Sequence, residues 1–313
     1  MIPSKNHIDR SIKTVSGLVH KTPVLTCSAL NAMTGAQLYF KCENFQKMGA
    51  FKMRGAIHAI QNLSEQQKAS GVVTHSSGNF GQAVALAAKN LGVTAYVVMP
   101  ENAPSVKKEA VKGYGAIVTE CESTLEAREK TSEKIQQETG ASFLHPSNNL
   151  DVILGNATAG VELLEKHPDL DYLLVPVGGG GLIAGTVLAA KYFGHNCKVI
   201  GGEPFAVDDA YRALQSGKIE LNESTNTVAD GLRTHLGDKN FPIIQELVSE
   251  IIRVEEEEIV AAMKHIWQRM KIIIEPSSAV PFAAVLREKE KFRDKKVGII
   301  LSGGNVDVTK LPF

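Results

Sequence analysis

The chain has 313 residues, of which 43% are hydrophobic and 22% charged, a composition that is ordinary for a globular protein with a sizeable core. Its 34 basic and 34 acidic side chains leave a formal net charge of zero, which argues against a nucleic-acid partner. No apolar run approaches the ~18 residues of a membrane span, and the four scattered cysteines form no Cys-x-x-Cys pair, so we expect a cytoplasmic protein without a disulfide framework or zinc site.

The first half of the chain alternates predicted strands and helices. A helical segment at 8–19 and a short strand at 38–43 precede a loop and a helix at 55–63. A regular series then follows, with strands at 72–75, 95–100, 116–119 and 142–145, and helices at 80–91, 107–114 and 124–139. This β-α-β-α-β-α-β order predicts a small parallel sheet whose crossovers are helices.

The second half repeats the alternation on a larger scale. Strands are predicted at 172–177, 197–203 and 297–301, and helices at 155–166, 182–193, 255–270 and 278–289. The fold class predicted for the whole chain is therefore α/β, with doubly wound sheets in two lobes. We expect a small domain at 71–148 and a large domain formed by 1–70 and 149–313.

Three loops follow predicted strands, and the carboxyl ends of parallel strands form the usual ligand crevice. They are Ser76–Asn79, Gly178–Gly181 and Ser302–Gly304. Four consecutive glycines before a helix let backbone N–H groups point inward, which predicts a phosphate cradle. A dinucleotide site with Glu203 on the ribose is an alternative, but the G-x-G-x-x-G fingerprint is missing, so a nicotinamide enzyme is disfavoured.

Lys52 lies at a predicted junction between a loop and a helix, where unpaired N–H groups can receive an anion. A lysine there can form a Schiff base with a carbonyl cofactor. In Ser76-Ser77-Gly78-Asn79, hydroxyls and an amide open the next helix, and such an end suits a substrate carboxylate. An ordinary surface lysine and an ordinary helix cap are the structural alternatives.

Five motifs in this order resemble the fold-type II pyridoxal-phosphate enzymes, most closely the serine racemase and serine/threonine dehydratase (ammonia-lyase) group. They are Ala50-Phe51-Lys52-Met53-Arg54-Gly55, Ser76-Ser77-Gly78-Asn79, Pro176-Val177-Gly178-Gly179-Gly180-Gly181, Ala229-Asp230-Gly231 and Leu301-Ser302-Gly303-Gly304-Asn305-Val306-Asp307. The resemblance covers nearly the whole chain. It implies a fold like that of the tryptophan synthase β subunit, with pyridoxal 5′-phosphate in the large domain and the substrate on the side of the small domain.

The resemblance also implies a role for each motif. Lys52 would carry the cofactor as a Schiff base and act as the base on one face, with Ser77 as acid or base on the opposite face. The remaining cofactor contacts would be Phe51 and Gly231 on the ring faces, Asn79 at the 3-hydroxyl, Ser302 at the ring nitrogen, and Gly178, Gly179, Gly180 and Gly181 at the phosphate. The substrate would meet Ser76, Ser77, Gly78, Asn79 and Arg128.

The segment Gly202–Asp209 resembles the divalent-metal loop of the same group. Glu203, Asp209 and the carbonyl of Val207 would then join waters around Mg²⁺ (or Ca²⁺ or Mn²⁺), which are cations that take oxygen ligands. An acidic surface turn is the alternative. The resemblance further suggests a homodimer.

The expected activity is dehydration and deamination of small β-hydroxy amino acids, L-serine or L-threonine, to a 2-keto acid and ammonia. Serine racemisation, alone or as a second activity, and hydroxyaspartate ammonia-lyase activity are the alternatives. A non-catalytic binding relative is disfavoured because Lys52 is retained. The chain departs from the group's usual pattern at Ala50, Phe80, Asn156 and 145–149, all near the expected substrate pocket, so substrate identity stays open.

Overall fold

Two sheets of mainly parallel strands, covered by helices, form the fold in the computed structural model, which describes residues 2–103 and 105–313. The strands are β1 Val24–Leu25, β2 Gln37–Cys42, β3 Val72–His75, β4 Ala95–Pro100, β5 Ile117–Cys121, β6 Ser142–Phe143, β7 Tyr172–Pro176, β8 Lys198–Pro204, β9 Glu250–Val254 and β10 Lys296–Leu301. The helices are α1 Lys5–Val15, α2 Ser28–Thr34, α3 Lys52–Gln61, α4 Glu65–Ser70, α5 Asn79–Leu91, α6 Ser105–Gly113, α7 Leu125–Thr139, α8 Leu150–Lys166, α9 Gly181–Phe193, α10 Asp209–Ser216, α11 Phe241–Leu247, α12 Glu256–Met270, α13 Pro276–Arg287 and α14 Lys289–Phe292.

The larger sheet has six strands in the order β1-β2-β10-β7-β8-β9. All neighbours are parallel except β1, which joins β2 in the antiparallel sense. Near the centre of the sheet lies β10, where Ile299 is opposite Phe40 on one side and Leu174 on the other. These side chains are fully buried, because helices cover both faces of a parallel sheet and its strands are apolar throughout.

The smaller sheet has four parallel strands in the order β5-β4-β3-β6. The alanine-rich face of α5 packs with α3 in one core that includes Met53, Ile57, Phe80 and Val97. The helix that begins at Lys52 is therefore held against the smaller sheet, while its N-terminal end meets the larger one. The link to the larger sheet is the turn before this helix, where the Phe51 N–H donates to the carbonyl of Ser302, the residue after β10.

The predicted α/β fold class is confirmed, but several element boundaries differ. Helix α3 begins at Lys52 itself, three residues earlier than predicted, and α8 begins at Leu150, where Asn149 accepts a bond from the Val152 N–H at 3.1 Å. Strands β1 and β9 and helices α2, α4, α10, α11 and α14 were not predicted. Gly155 lies inside α8 despite the weak helix propensity of glycine. A larger residue would not fit here, because its Cβ would lie 2.5 Å from the Arg54 carbonyl oxygen.

Within residues 2–103 and 105–313, no helix combines the length and apolar character that crossing a bilayer requires.

Candidate active site

Lys52 is the first residue of α3, and the loop before it is bound to the end of β10. The Phe51 N–H donates to the Ser302 carbonyl at 2.9 Å, and Ala50 forms an antiparallel bridge with Gly303. The Lys52 amine donates to the Pro146 carbonyl at 2.7 Å and lies 5.0 and 5.5 Å from the ring centroids of Phe51 and Phe80. The amine is thus held between the two sheets.

Burial lowers the pKa of the Lys52 amine to about 8, and the carboxylate of Glu275 offsets part of this effect. A cationic group in a low-dielectric site loses hydration, so its neutral form is favoured. Near pH 8 a large fraction of the amine is unprotonated. That fraction can act as a nucleophile or as a base.

A buried network of ion pairs close to Lys52 connects α3 to its neighbours. The Arg54 guanidinium, which is 0% exposed, bonds Glu43 and Glu162 at 2.7 Å each, and Glu162 also receives the Lys41 amine at 2.5 Å. Arg54 lowers the pKa of Glu43 despite the opposing effect of burial. The network joins β2, α3 and α8 and so fixes the helix end that carries Lys52.

The glycine loop between β7 and α9 has no space for side chains. A Cβ on Gly178 would approach the Leu232 Cα to 2.8 Å, and a Cβ on Gly181 would approach the Ser147 Cα to 2.9 Å. Gly179 is backed by the Ser147 side chain, and Gly180 has a φ of +76°. The loop is therefore a tightly bounded turn at the N-terminus of a 13-residue helix, which is the arrangement that binds phosphate.

One short segment, residues 146–147, contacts both Lys52 and the glycine loop. Pro146, whose carbonyl holds the Lys52 amine, immediately precedes Ser147, which packs against Gly179 and Gly181. The Asn240 amide donates to the carbonyls of Gly179 and Ser147 at 2.8 and 3.3 Å, so this segment is held against the glycine loop. An amine and a phosphate cradle on one short segment suit a cofactor with an aldehyde and a phosphate.

The loop after β3 leads into α5 as expected, and its residues Ser76, Ser77, Gly78 and Asn79 are half-buried. The Gly78 N–H donates to the Ser76 hydroxyl at 3.3 Å. The Ser77 hydroxyl makes no hydrogen bond within the described part of the chain. This hydroxyl can therefore meet a ligand without breaking a contact.

Ser302 is 3% exposed, and its hydroxyl lies 3.0 Å from that of Ser278. Ser278 also bonds the Gly303 backbone at 2.7 Å. The Gly231 N–H donates to the Ser277 hydroxyl at 3.1 Å, and the Gly231 carbonyl borders Gly178. The structure thus brings Gly231 beside the glycine loop and pairs the Ser302 side chain with another hydroxyl.

Arg128 lies on α7, a helix that packs against β3 and β4 of the smaller sheet. Its Nε donates to the Thr124 carbonyl at 3.2 Å. Its charge helps lower the pKa of His75, although burial is the larger cause. Since His75 immediately precedes Ser76, Arg128 is placed on the side of the loop after β3.

Two polar groups in this region received no role in the sequence analysis. Glu275 is buried, and both of its carboxylate oxygens lie 3.0 Å from the Asn79 amide nitrogen. The His145 ring lies 6.2 Å from that of His75, and burial, together with the charges of His75 and Lys52, lowers its pKa to about 4. Glu275 could have been noticed because it precedes Pro276 at a helix start, where Ser, Thr, Asp or Asn is usual.

The proposed metal loop lies at the end of β8. The buried Glu203 carboxylate accepts the N–H groups of Ala210 and Tyr211 at 3.0 and 2.8 Å, and Asp209 accepts those of Leu236 and the Asn222 amide at 3.1 and 2.7 Å. Burial raises the pKa of Asp209 to about 6. The described residues include no cluster of three or more His, Cys, Asp or Glu side chains suited to a metal, so protein ligands here would be two carboxylates and a carbonyl.

The comparisons with known proteins agree with this arrangement. The PALP family, described as "Pyridoxal-phosphate dependent enzyme", matches residues 15–303. The chain is 52% identical to a serine racemase from Dictyostelium discoideum over 308 residues, covering 97% of this chain and 95% of that protein. It is 45% identical to a beta-hydroxyaspartate dehydratase from Paracoccus denitrificans, covering 100% and 99% of the two chains.

Among solved structures, a T.th. threonine deaminase is 39% identical with a TM-score of 0.93, and the match covers 98% of this chain and 100% of that one. These matches confirm the predicted resemblance to fold-type II pyridoxal-phosphate enzymes. The glycine loop without space for a Cβ and the buried amine of Lys52 fit the cofactor independently of the matches. The chain belongs to the PALP family of pyridoxal-phosphate dependent enzymes.

Proposed function

We propose that the chain dehydrates and deaminates small β-hydroxy amino acids, L-serine or L-threonine, to a 2-keto acid and ammonia. The observation that carries the proposal is the position of the Lys52 amine, which donates to the Pro146 carbonyl next to the glycine loop. Relatives that are serine racemases, a hydroxyaspartate dehydratase and a threonine deaminase support the same class of substrate. Serine racemisation and hydroxyaspartate ammonia-lyase activity are the alternatives.

In this proposal Lys52 and the glycine loop Gly178–Gly181 hold pyridoxal phosphate, with Phe51, Gly231, Asn79 and Ser302 around its ring. The bound cofactor withdraws electrons from the substrate's α-carbon and so acidifies the α-proton. Lys52 would take that proton on one face, because burial lowers the pKa of its amine and so favours the neutral form that can act as a base. Ser302 offers a hydroxyl in place of a carboxylate, so its side chain supplies no negative charge that would keep a proton on the ring nitrogen.

Ser76, Ser77, Gly78, Asn79 and Arg128 are the proposed contacts for the substrate. The unpartnered hydroxyl of Ser77 suits proton delivery from the face opposite Lys52, which would lead to the other enantiomer. Loss of the β-hydroxyl instead leads to the keto acid. The two outcomes therefore differ in whether Ser77 delivers its proton before the hydroxyl leaves.

The test is a product assay on cofactor-loaded protein with L-serine, L-threonine and L-threo-3-hydroxyaspartate, measuring keto acid and D-serine together. Keto acid with little D-serine supports the main proposal and ranks the substrates. Substantial D-serine favours the racemase, and loss of D-serine alone in Ser77→Ala supports the role of Ser77. Absence of both products would contradict the proposed reaction.

We also propose that Glu203, Asp209 and the Val207 carbonyl bind Mg²⁺, Ca²⁺ or Mn²⁺. Glu203 and Asp209 are buried and form no ion pair with a basic side chain of the described residues, although the charges of His235 and Arg212 act on Asp209. A divalent ion would compensate their two charges, whereas the neighbouring Asp208 is already paired with Arg212 and Arg253. Calorimetric titration of the metal-stripped protein should show binding that Asp209→Asn removes and Asp208→Asn retains. Equal binding by both variants would contradict the assignment.

Two further predictions, the domain boundaries and the oligomeric state, remain proposals of ours. The smaller sheet suggests a small domain at 71–148 and a large domain at 1–70 and 149–313, and the family resemblance suggests a homodimer. Limited proteolysis should cut near 70 and 148 if the two domains are separate units. Light scattering of the purified chain should give about twice the 33.7 kDa mass of one chain, and a monomer would contradict the dimer.

A further inference from the structure

The amide of Asn79 is held at both ends. Its nitrogen lies 3.0 Å from each carboxylate oxygen of Glu275, and its oxygen accepts from the Asn305 amide at 2.9 Å. A flipped amide would put its oxygen against the carboxylate and its nitrogen against another N–H donor. The orientation of Asn79 is therefore determined by two residues that lie 196 and 226 positions away.

This arrangement leaves one N–H of Asn79 unused. The two oxygens of one carboxylate subtend a much smaller angle at the nitrogen than the roughly 120° between its two N–H bonds. Both Glu275 oxygens therefore share one hydrogen, and the second N–H points away from Glu275. Since Asn79 is half-buried at the N-terminal end of α5, this second N–H is available to a ligand in the cleft.

Asn305 connects the same amide to the lysine loop. Its nitrogen also donates to the Met48 carbonyl at 2.9 Å, and Met48 has the unusual φ of +55°. A Cβ on the next residue, Gly49, would approach the Asn305 side-chain oxygen to 2.8 Å. The turn before Lys52 thus adopts a conformation that matches Asn305, so the lysine loop and the loop after β3 are positioned together.

Glu275 is a costly side chain to bury, which makes a purely structural role unfavourable. Burial, with a smaller contribution from the charge of Asp230, raises its pKa to about 7, although the Asn79 bond, the charge of Lys107 and the bond to the Asn305 backbone act in the opposite direction. The charge of Glu275 in turn acts on Lys52. An apolar side chain at this place would avoid the cost of desolvation but would leave Asn79 free to rotate.

We propose that Glu275 is a positioning residue, which with Asn305 holds the Asn79 amide so that its second N–H meets the 3-oxygen of pyridoxal phosphate. This inference rests on the cofactor role of the site and adds the two residues that orient Asn79. Glu275 acts through Asn79, and its negative charge also favours protonation of the nitrogen of Lys52.

The test compares wild type, Glu275→Gln, Glu275→Asp and Asn305→Ala, with Glu290→Gln as a control at an exposed carboxylate. Pyridoxal phosphate is titrated into each cofactor-free full chain, and the absorbance of the bound cofactor is followed from pH 6 to 9. Glu275→Gln should weaken cofactor binding about tenfold, because a neutral acceptor replaces the charged one that holds Asn79. It should also remove a spectral change near pH 7, whereas Glu275→Asp should restore part of both and Glu290→Gln should match wild type.

Melting of the cofactor-free proteins separates positioning from folding. Glu275→Gln should melt at or above the wild-type temperature, because it removes a buried charge, and yet bind the cofactor more weakly. Wild-type affinity and a wild-type pH profile in this variant would overturn the proposal. If Glu275→Gln fails to fold, Asn305→Ala must show the weakened binding for the proposal to stand. No cofactor absorbance in the wild type would instead contradict the function proposed for the whole site.

Discussion

The amine of Lys52 should lower the stability of the cofactor-free protein, and Lys52→Met measures by how much. In the folded chain its pKa is about 8, against 10.5 for an ordinary lysine, because burial disfavours the ammonium. The unfolded chain therefore binds the proton more tightly. Stability is reduced below pH 8 and is regained as the pH rises from about 8 to about 10.5.

The magnitude follows from the size of this shift. A difference of about 2.5 pKa units corresponds to roughly 3 kcal/mol as an upper limit. Solvent reaches the half-buried side chain and screens part of it, and the substitution leaves the Pro146 carbonyl without its donor, at about 1 kcal/mol. We expect Lys52→Met to be about 1–2 kcal/mol more stable than wild type at pH 7, with a smaller difference at pH 10.5.

The assay is urea denaturation of the cofactor-free proteins at pH 7 and pH 10.5. Lys47→Met is the matched control, because the Lys47 side chain is half-buried in the same loop and its amine also donates to a backbone carbonyl, that of Leu18, at 2.7 Å. The control should not gain stability at pH 7. A destabilised Lys52→Met, or a difference from wild type that is equal at both pH values, would refute the reasoning.

Three other substitutions test the surroundings of the site. Gly179→Ala adds a Cβ against the Ser147 side chain and should weaken cofactor binding at least about tenfold in an absorbance titration. The control Gly113→Ala places its Cβ in open space and should bind the cofactor as the wild type does. Equal affinities of the two variants would argue against a close-fitting cradle. Arg54→Met leaves Glu43 buried without its partner and should cost about 3–5 kcal/mol in urea denaturation, and a loss below about 1 kcal/mol would contradict the buried network. Asn156→Leu replaces a buried amide whose oxygen and nitrogen have no hydrogen-bond partner among the described residues. This substitution should raise the free energy of unfolding by about 1 kcal/mol. A lower free energy of unfolding would show that the amide does form hydrogen bonds.

The fold class and the positions of the loops could be predicted because they depend on local features of the chain. An apolar segment such as 172–177 is read as a buried strand, and four glycines after it allow a backbone approach that other residues forbid. Helix boundaries were less accurate, as at α8, where tertiary packing of Gly155 against α3 compensates for its weak helix propensity. The element order survives such local errors because it depends on the alternation along the chain.

The sequence by itself determined the alternation of strands and helices, the glycine cradle and the lysine at a helix start, since each depends on neighbouring residues. Only the tertiary structure decided what surrounds that lysine. The residues around Lys52 come from three distant segments, which contain Asn79, Pro146 and Glu275. No local sequence pattern predicts a carboxylate that bonds an amide 196 positions away. Burial and the meeting of distant loops set the charge state of the Lys52 amine and the orientation of the Asn79 amide, and both properties arise only when the chain has folded.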